Sequence, residues 1–393
     1  MSRFDRERFA LEAATGGRNT LLLDDLGLPS VMVKIPKCRW SDIVAGGPAT
    51  TCSAFIVNGQ EVDHIYVSKY QCIVEGGRAY SLPGRDPAAF IDFDMAKTAC
   101  EAKGTGWHLM SNAEWMLLAN WCKTNGTIPR GNNYCGRDVD HAWEHGIQSY
   151  DWIDANNWNN MANYHDDQGY HHTGRVLTGS GPVSWRHNNA PDGVADLNGN
   201  VWEWVSGLRL LNGEIQVIPD NNSAAAVDES RDSTLWRAIL QDGSLALPGA
   251  ANTLKYNGSV AGDATQTDHY IGTPVLDVKN DKPAYTGGNV DDYYGQLNCS
   301  LETLAAASGV TVPQIVKDLG LFPVDSSLNG DILYVRNYGE RLPFRGGDWL
   351  DGAAAGVFAL NLNNARAITR DNVGFRAALP RAGGACPRTP HRA

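Results

Sequence analysis

Apolar positions along this chain recur with two periods, and the switch between them marks out the elements. Residues 31–36, Val-Met-Val-Lys-Ile-Pro, read as a strand closed by proline, which cannot donate to a ladder. Residues 54–57 and 62–67 flank Asn58-Gly59, a pair that accepts positive φ readily and so predicts a tight hairpin. Over 87–103 the spacing lengthens to that of a helix, with Phe90, Met95, Ala96 and Ala99 on one side. A second helix is predicted to open at Ser111, because Glu114 three residues on completes a capping box and Trp115, Leu118 and Trp121 follow at packing positions. Residues 125–195 are polar, rich in Gly and Asn, and carry Trp143, Trp152, Trp158 and Trp185. Residues 206–342 are polar again, with NG, DG and GG turns. A helical patch is predicted at 301–319 (Leu304, Ala305, Val312, Ile315, Val316, Leu319) and a strand at 332–335. The first 30 residues are charged, then polar, and suggest a helix from Arg3 to Ala14 followed by a linker.

The stretch 345–376, RGGDWLDGAAAGVFALNLNNARAITRDNVGFR, organises the rest. Gly346, Gly347 and Trp349 open it, and Gly374-Phe375-Arg376 close it. In the middle an apolar run, 357–360, passes into an alternation of Leu360 and Leu362 with Asn361 and Asn363, the pattern of a half-buried strand. Burying Trp349, Val357, Leu360, Leu362 and Phe375, each worth roughly 1.5–3 kcal/mol, would pin both ends to one core. Arg345, Arg366 and Arg376 have donors enough to satisfy main-chain carbonyls there. Between these fixed points stand Asp348, Leu350, Asp351, Ala354, Ile368, Arg370 and Asp371, which share no chemical character. The segment reads as a rigid scaffold that displays an arbitrary surface, with these residues solvent-exposed on one face.

Composition narrows the picture. The chain has 393 residues and a net charge of −11, without a cluster of Lys and Arg, so no nucleic-acid partner is expected. Its 42 Gly and 12 Trp suit a loop-rich fold pinned by aromatics. None of the eight cysteines forms a CxxC pair, which argues against zinc-ribbon and thioredoxin-type sites. In a chain this long, free thiols are favoured over disulfides. His141 and His145 are four apart, and 164–167 with His171-His172 add further ligand types. Two His at that spacing converge only on a helix, so surface loops are favoured over a metal site. The Trp cluster reads as core rather than as a sugar-stacking platform. The N-terminus lacks an apolar signal region and no apolar run reaches the ~18 residues of a membrane span. Neither signal peptide, transmembrane segment nor membrane insertion is expected.

The RGG-x-W and GFR ends, together with DLNGNVWEW at 196–204, resemble the formylglycine-generating (sulfatase-modifying factor) family. The resemblance implies an α+β, C-type lectin-like fold of the formylglycine-generating enzyme type, loop-rich and with a large insertion. The organisation it implies is an N-terminal arm or linker (1–30), one domain (31–380) with an insertion at 206–342 beside the variable face, and a disordered tail (381–393). In that family the 196–204 loop wraps a structural Ca2+. The ligands here would be the carboxylates of Asp196 and Glu203 and the main-chain oxygens of Asn198, Gly199 and Val201, a hard-oxygen set suited to calcium. Read from the residues alone, the same loop could be shaped by its Asn turns and Trp anchors with no metal. The interior AGVFALNLNNAR resembles the variable region of proteins diversified by retroelements, such as the phage major tropism determinant group. In those proteins, copying errors at adenines randomise Asn codons, which adds Asn361, Asn363, Asn364 and Asn372 to the ligand-binding surface.

These resemblances imply a non-enzymatic display protein that binds a protein or glycan ligand on a cell surface. It would be carried on a virion such as a phage tail, kept in the cytoplasm or exported by another route, with oligomers possible. The alternatives are a formylglycine-generating-type oxidase and a lectin of fixed specificity. The oxidase needs a pair of cysteines for copper, and none lies between Trp349 and Arg376. An iron site would need histidines on a preceding helical domain, so neither copper nor iron is expected. The lectin reading rests on fold analogy alone.

Overall fold

The computed structural model describes residues 4–149, 174–287 and 293–381. Trp152, Trp158, the 164–167 and His171-His172 groups, and residues 382–393 of the expected tail lie outside these ranges. The N-terminal helix runs Asp5–Thr15, ends on a left-handed Gly16 and buries no residue. The linker expected after it is instead a strand, Asn19–Leu23, which pairs antiparallel with Pro29–Pro36 along its whole length. Asn19 and Thr20 are buried there, and Asn19 donates to the Asp192 carbonyl at 2.7 Å, so polar residues hide a core-edge strand from a hydrophobicity reading. A five-stranded sheet continues through His64–Ser68, Ala377–Arg381 and His108–Leu109, bringing the two ends of the chain together.

Asn58 and Gly59, at φ of 51° and 71°, close a hairpin in which Ile56 faces Glu61 and Val57 faces Gln60. The first predicted long helix is shorter than its periodicity, Phe93–Glu101, because Asp92 caps it by accepting the Met95 amide at 2.8 Å and Phe90 sits at φ +53°. The second is Asn112–Asn125, opened by the Ser111–Glu114 capping box. The patch at 301–319 forms only a single turn at Leu301–Thr303, a two-residue strand and the helix Gln314–Asp318. Gly309 at φ +81° and Pro313 ahead of the helix interrupt the pattern.

A 14-stranded sheet among the described residues holds most of the rest. At its centre Gly356–Asn364 lies between Ile332–Val335, parallel, and Glu340–Gly346, antiparallel. Glu340–Gly346 in turn pairs with Leu208–Leu211 and Trp202–Trp204. Residues 206–342 are therefore not an appendage beside the variable face: their strands flank its central strand. Leu208, Leu210, Leu297, Leu333 and Val335 share one buried cluster with Leu360, Leu362, Trp115 and Ile65. A second cluster gathers Phe93, Trp202, Trp204, Phe344 and Phe375. Among the described residues no helix is long and apolar enough to cross a membrane.

Candidate ligand-binding cleft

The frame of 345–376 is fixed by burial and by charge-assisted bonds. Trp349, Val357, Leu360, Leu362 and Phe375 are all buried. Arg345 is fully buried, and donates to Asn112 Oδ1 at 2.8 Å and to the carbonyls of Leu319 and Phe358 at 3.0 and 3.3 Å. Arg376 forms a bidentate pair with Glu203, both bonds 2.6 Å, and holds the Ser68 and Ala195 carbonyls. Arg366 holds the Glu229 carbonyl at 2.8 Å. Two glycines are obligatory here. A Cβ on Gly347, at φ +83°, would meet Ala355 Cβ at 2.4 Å. One on Gly356 would meet the Asp331 carboxylate at 2.1 Å, the group that accepts the Phe358 amide at 2.7 Å.

The central strand is buried on both sides, not half-buried as the alternation suggested. Leu360 and Leu362 face the apolar cluster, while Asn361 and Asn363 line the floor of a polar cleft of about 160 Å³. Asp348, Asp351, Arg370 and Asn372 join them from the two ends of the segment. The expectation of an exposed face is thereby corrected. Asp348, Asn361, Asn363 and Asn364 are buried, and Asp351, Ala354, Ile368, Arg370, Asp371 and Asn372 are half-buried. Of the whole set only Leu350 is exposed, at 46%. The side chains are recessed because they bond one another. Asn364 Nδ2 donates to Asn361 Oδ1 at 3.1 Å, Asn363 donates to Gln296, and Asn372 donates to Asp348 Oδ2. Leu350, Ala354, Asn364, Ile368 and Asp371 do not line the cleft. Ile368 packs against the second core cluster.

The remaining walls come from residues to which no function was assigned from the sequence. Trp202 and Tyr334 form one aromatic corner, their rings 6.4 Å apart. Tyr293 forms another, stacked on His269 with Arg336 and Arg370 over its ring at 5.2 and 5.1 Å. Tyr270 and Gln296 complete it. Tyr270, Tyr293, Gln296, Tyr334 and Arg336 all lie in 206–342, in turn-rich sequence with no motif to single them out.

The two acids of the cleft are linked. Asp351 Oδ2 accepts the Asp348 amide at 2.8 Å, and Asp348 Oδ1 accepts the Leu350 amide at 2.7 Å. Burial pushes both carboxyls up, and the charge of Asp348 raises Asp351 further. Burial lowers Arg336, with Arg370 adding like-charge repulsion. A larger cavity of about 690 Å³, lined among others by Trp40, Ile56, Val217, Asp318 and Leu319, shares no lining residue with this cleft.

The 196–204 loop does gather oxygens, but around a nitrogen. The main-chain oxygens of Asp196, Gly199 and Val201 and Oε1 of Glu203 all accept from Gln71 Nε2, at 3.2, 3.5, 3.2 and 3.0 Å. Calcium requires oxygens at about 2.3–2.6 Å and uncompensated negative charge. Here an amide stands at the point of convergence, and Arg376 neutralises Glu203. Asn198 points elsewhere, its Nδ2 donating to the Pro129 carbonyl at 3.0 Å. Asp196 Oδ2 accepts the Gly179 amide at 2.7 Å, and Oδ1 has no partner. The expected ligand set of Asp196, Asn198, Gly199, Val201 and Glu203 does not fit calcium in this arrangement. Among the described residues no three His, Cys, Asp or Glu side chains gather as a metal group. The seven cysteines among the described residues are free thiols, with Cys38 and Cys52 in sulfur contact at 3.4 Å.

The Sulfatase-modifying factor enzyme 1-like domain family matches residues 53–218, which takes in the capping-box helix and the 196–204 motif but stops short of the variable segment. Among solved structures the chain is similar to PvdO from Pseudomonas aeruginosa, at 14% identity and a TM-score of 0.32 over 92% of this chain and 98% of that one. It is also similar to Treponema denticola variable protein 1, at 10% identity and a TM-score of 0.29 over the same shares. No curated protein matches the chain by sequence. The fold is the α+β, C-type lectin-like fold of the formylglycine-generating type.

Proposed function

We propose that this chain is a ligand-binding display protein whose recognition site is the cleft at 345–376. The observation that carries this reading is a division of labour within one segment. Its Trp, Leu, Phe and Arg frame is buried and bonded, while six polar residues, two from its central strand and four from its two ends, meet in one recess. A frame of that kind tolerates exchange of what it displays, and Leu350 at the rim adds an exposed apolar anchor. The ligand is a protein or glycan on a cell surface, and the chain itself is carried on a virion or displayed on a host surface.

Binding is favoured over oxidase chemistry because the segment between Trp349 and Arg376 contains no cysteine, and the thiol nearest to it is not activated. Cys135, whose amide donates to the Trp349 carbonyl at 2.7 Å, is pushed up to about 11 by burial and then by the charge of Asp348. A cysteine that acts as a nucleophile on its own requires the opposite shift.

Arrays of glycans and of cell-surface proteins, probed with the wild-type chain and with the L350A/R370Q variant, test the reading. The expected result is a ligand that binds the wild type and is lost in the variant at unchanged melting temperature. A ligand that binds both equally overturns it. A second test is genomic: a near-copy of the codons for 345–376, differing at adenines and beside a reverse transcriptase gene, is expected near the coding sequence.

A further inference from the structure

The charges of the cleft are arranged as two poles that do not neutralise each other. At one end Arg336 and Arg370 both stand over the Tyr293 ring. Arg336 is 3% exposed, and two of its nitrogens hold the Asn363 and Tyr293 carbonyls at 2.6 and 2.7 Å, which fixes the guanidinium. Its Nε–H has no acceptor. Among the described residues neither arginine lies within 4.0 Å of a carboxylate, although Arg209, Arg366 and Arg376 are all so paired. Among the described residues Asp348 and Asp351 have no cation within that distance, and are held instead by main-chain amides and Asn372. The amides of Asn361, Asn363 and Asn372 line the same cleft, and Asn372 Oδ1 has no donor among the described residues.

A buried guanidinium without a counter-charge is costly, and a second one beside it raises the cost. The same holds for two adjoining carboxyls. The scaffold has kept the opposite charges of one cleft apart, so each remains to be met by something that enters. A plain anion would suit the arginines and meet repulsion from the acids. A plain cation would do the reverse. A molecule that carries both charges satisfies both ends at once.

We propose that the cleft recognises an amino-acid zwitterion, its ammonium against Asp348 and Asp351 and its carboxylate against Arg336 and Arg370. The proposal rests on the reading of this cleft as the recognition site. The cleft is small, about 160 Å³, which suits a doubly charged head such as that of an amino acid. Two guanidiniums suit a carboxylate's paired oxygens. Burial disfavours the charged form of both acids, and the charge of Asp348 disfavours that of Asp351 further, so an entering ammonium supplies the counter-charge that the scaffold withholds. Asn372 Oδ1 supplies a further acceptor for the ammonium. The zwitterion is either a free amino acid or a group borne on a surface polymer.

Calorimetry with the full-length chain separates the sources. One arm titrates the free amino acids, each with its matching amine and its matching carboxylic acid. The other arm measures retention on beads bearing lysine coupled through Nε, which leaves the α-ammonium and carboxylate free. Binding in either arm, at least about tenfold weaker for both single-charge analogues and about tenfold weaker for Arg370→Gln, supports the proposal. Binding in the bead arm alone assigns the zwitterion to a polymer. Arg370 is half-buried and its side chain carries no ion pair among the described residues, so the variant is expected to melt with the wild type. Equal binding of an amine or a carboxylic acid overturns the proposal, as does silence in both arms. If both arms are silent while an arrayed ligand still binds and is lost in L350A/R370Q, the zwitterion falls and the cleft as recognition site stands.

Discussion

Gln71 closes the 196–204 loop. Its amide nitrogen is the shared donor for three carbonyls and a carboxylate, and its carbonyl accepts Asn200 Nδ2 at 2.7 Å. The side chain is fully buried, so no water can replace it. Gln71→Ala should leave several acceptors unmet at about 1–3 kcal/mol each, before any cavity cost. The expected result is a fall in stability of at least about 3 kcal/mol in a denaturant titration. A chelator, by contrast, should leave the wild-type melting temperature unchanged, since a loop that needs no ion gains nothing from one by mass action. A drop in melting temperature on chelation, restored by calcium, would show that the amide yields its place to a metal. The residue that decides this lies over a hundred positions before the motif it serves, and no spacing rule links Gln71 to Glu203.

The strand Gly356–Asn364 shows how one alternation can serve two interiors. Its Leu side belongs to the apolar cluster and its Asn side to the cleft floor. An alternation of Leu with Asn reads as core facing solvent, and only the neighbouring strands reveal that both sides are enclosed. Those neighbours, Ile332–Val335 and, one strand further, Gln296–Ser300, come from 206–342. Deleting that segment should therefore remove the parallel partner of the central strand, together with Tyr293, Tyr334 and Arg336. The expected outcome is an insoluble or unfolded product, seen as loss of a cooperative melting transition and rapid proteolysis. A soluble deletion variant with a wild-type-like transition would restore the view of the segment as an appendage.

Across the whole molecule, the 345–376 segment divides into a rim and a floor, and substitutions should follow that division. Leu350→Ser at the exposed rim should change stability by no more than about 0.5 kcal/mol. Asn361→Leu or Asp348→Leu, on the floor, should cost about 2 kcal/mol or more, because each strands the buried groups it bonds. A denaturant titration of the three variants checks this. Equal, small effects at all three would show that the floor accepts exchange as freely as the rim. The division also bears on display: diversity at the floor must preserve a hydrogen-bonded set, whereas diversity at the rim need not.

The local elements were legible without the fold. The Asn58-Gly59 hairpin, the Ser111–Glu114 capping box and the burial of Trp349, Leu360, Leu362 and Phe375 each follow from a few neighbouring residues. Such features depend on turn preference, capping and apolar periodicity, which act over one or two turns of chain. Other outcomes were settled by partners distant in sequence. Asn19–Leu23 became a strand through Pro29–Pro36, 206–342 entered the main sheet, Gln71 met the oxygens of the 196–204 loop, and six of the displayed residues came to line a cleft walled by Tyr293 and Arg336. A polar side chain carries no mark of whether it will meet water or another buried polar group. That choice is made by whichever elements the tertiary structure brings against it.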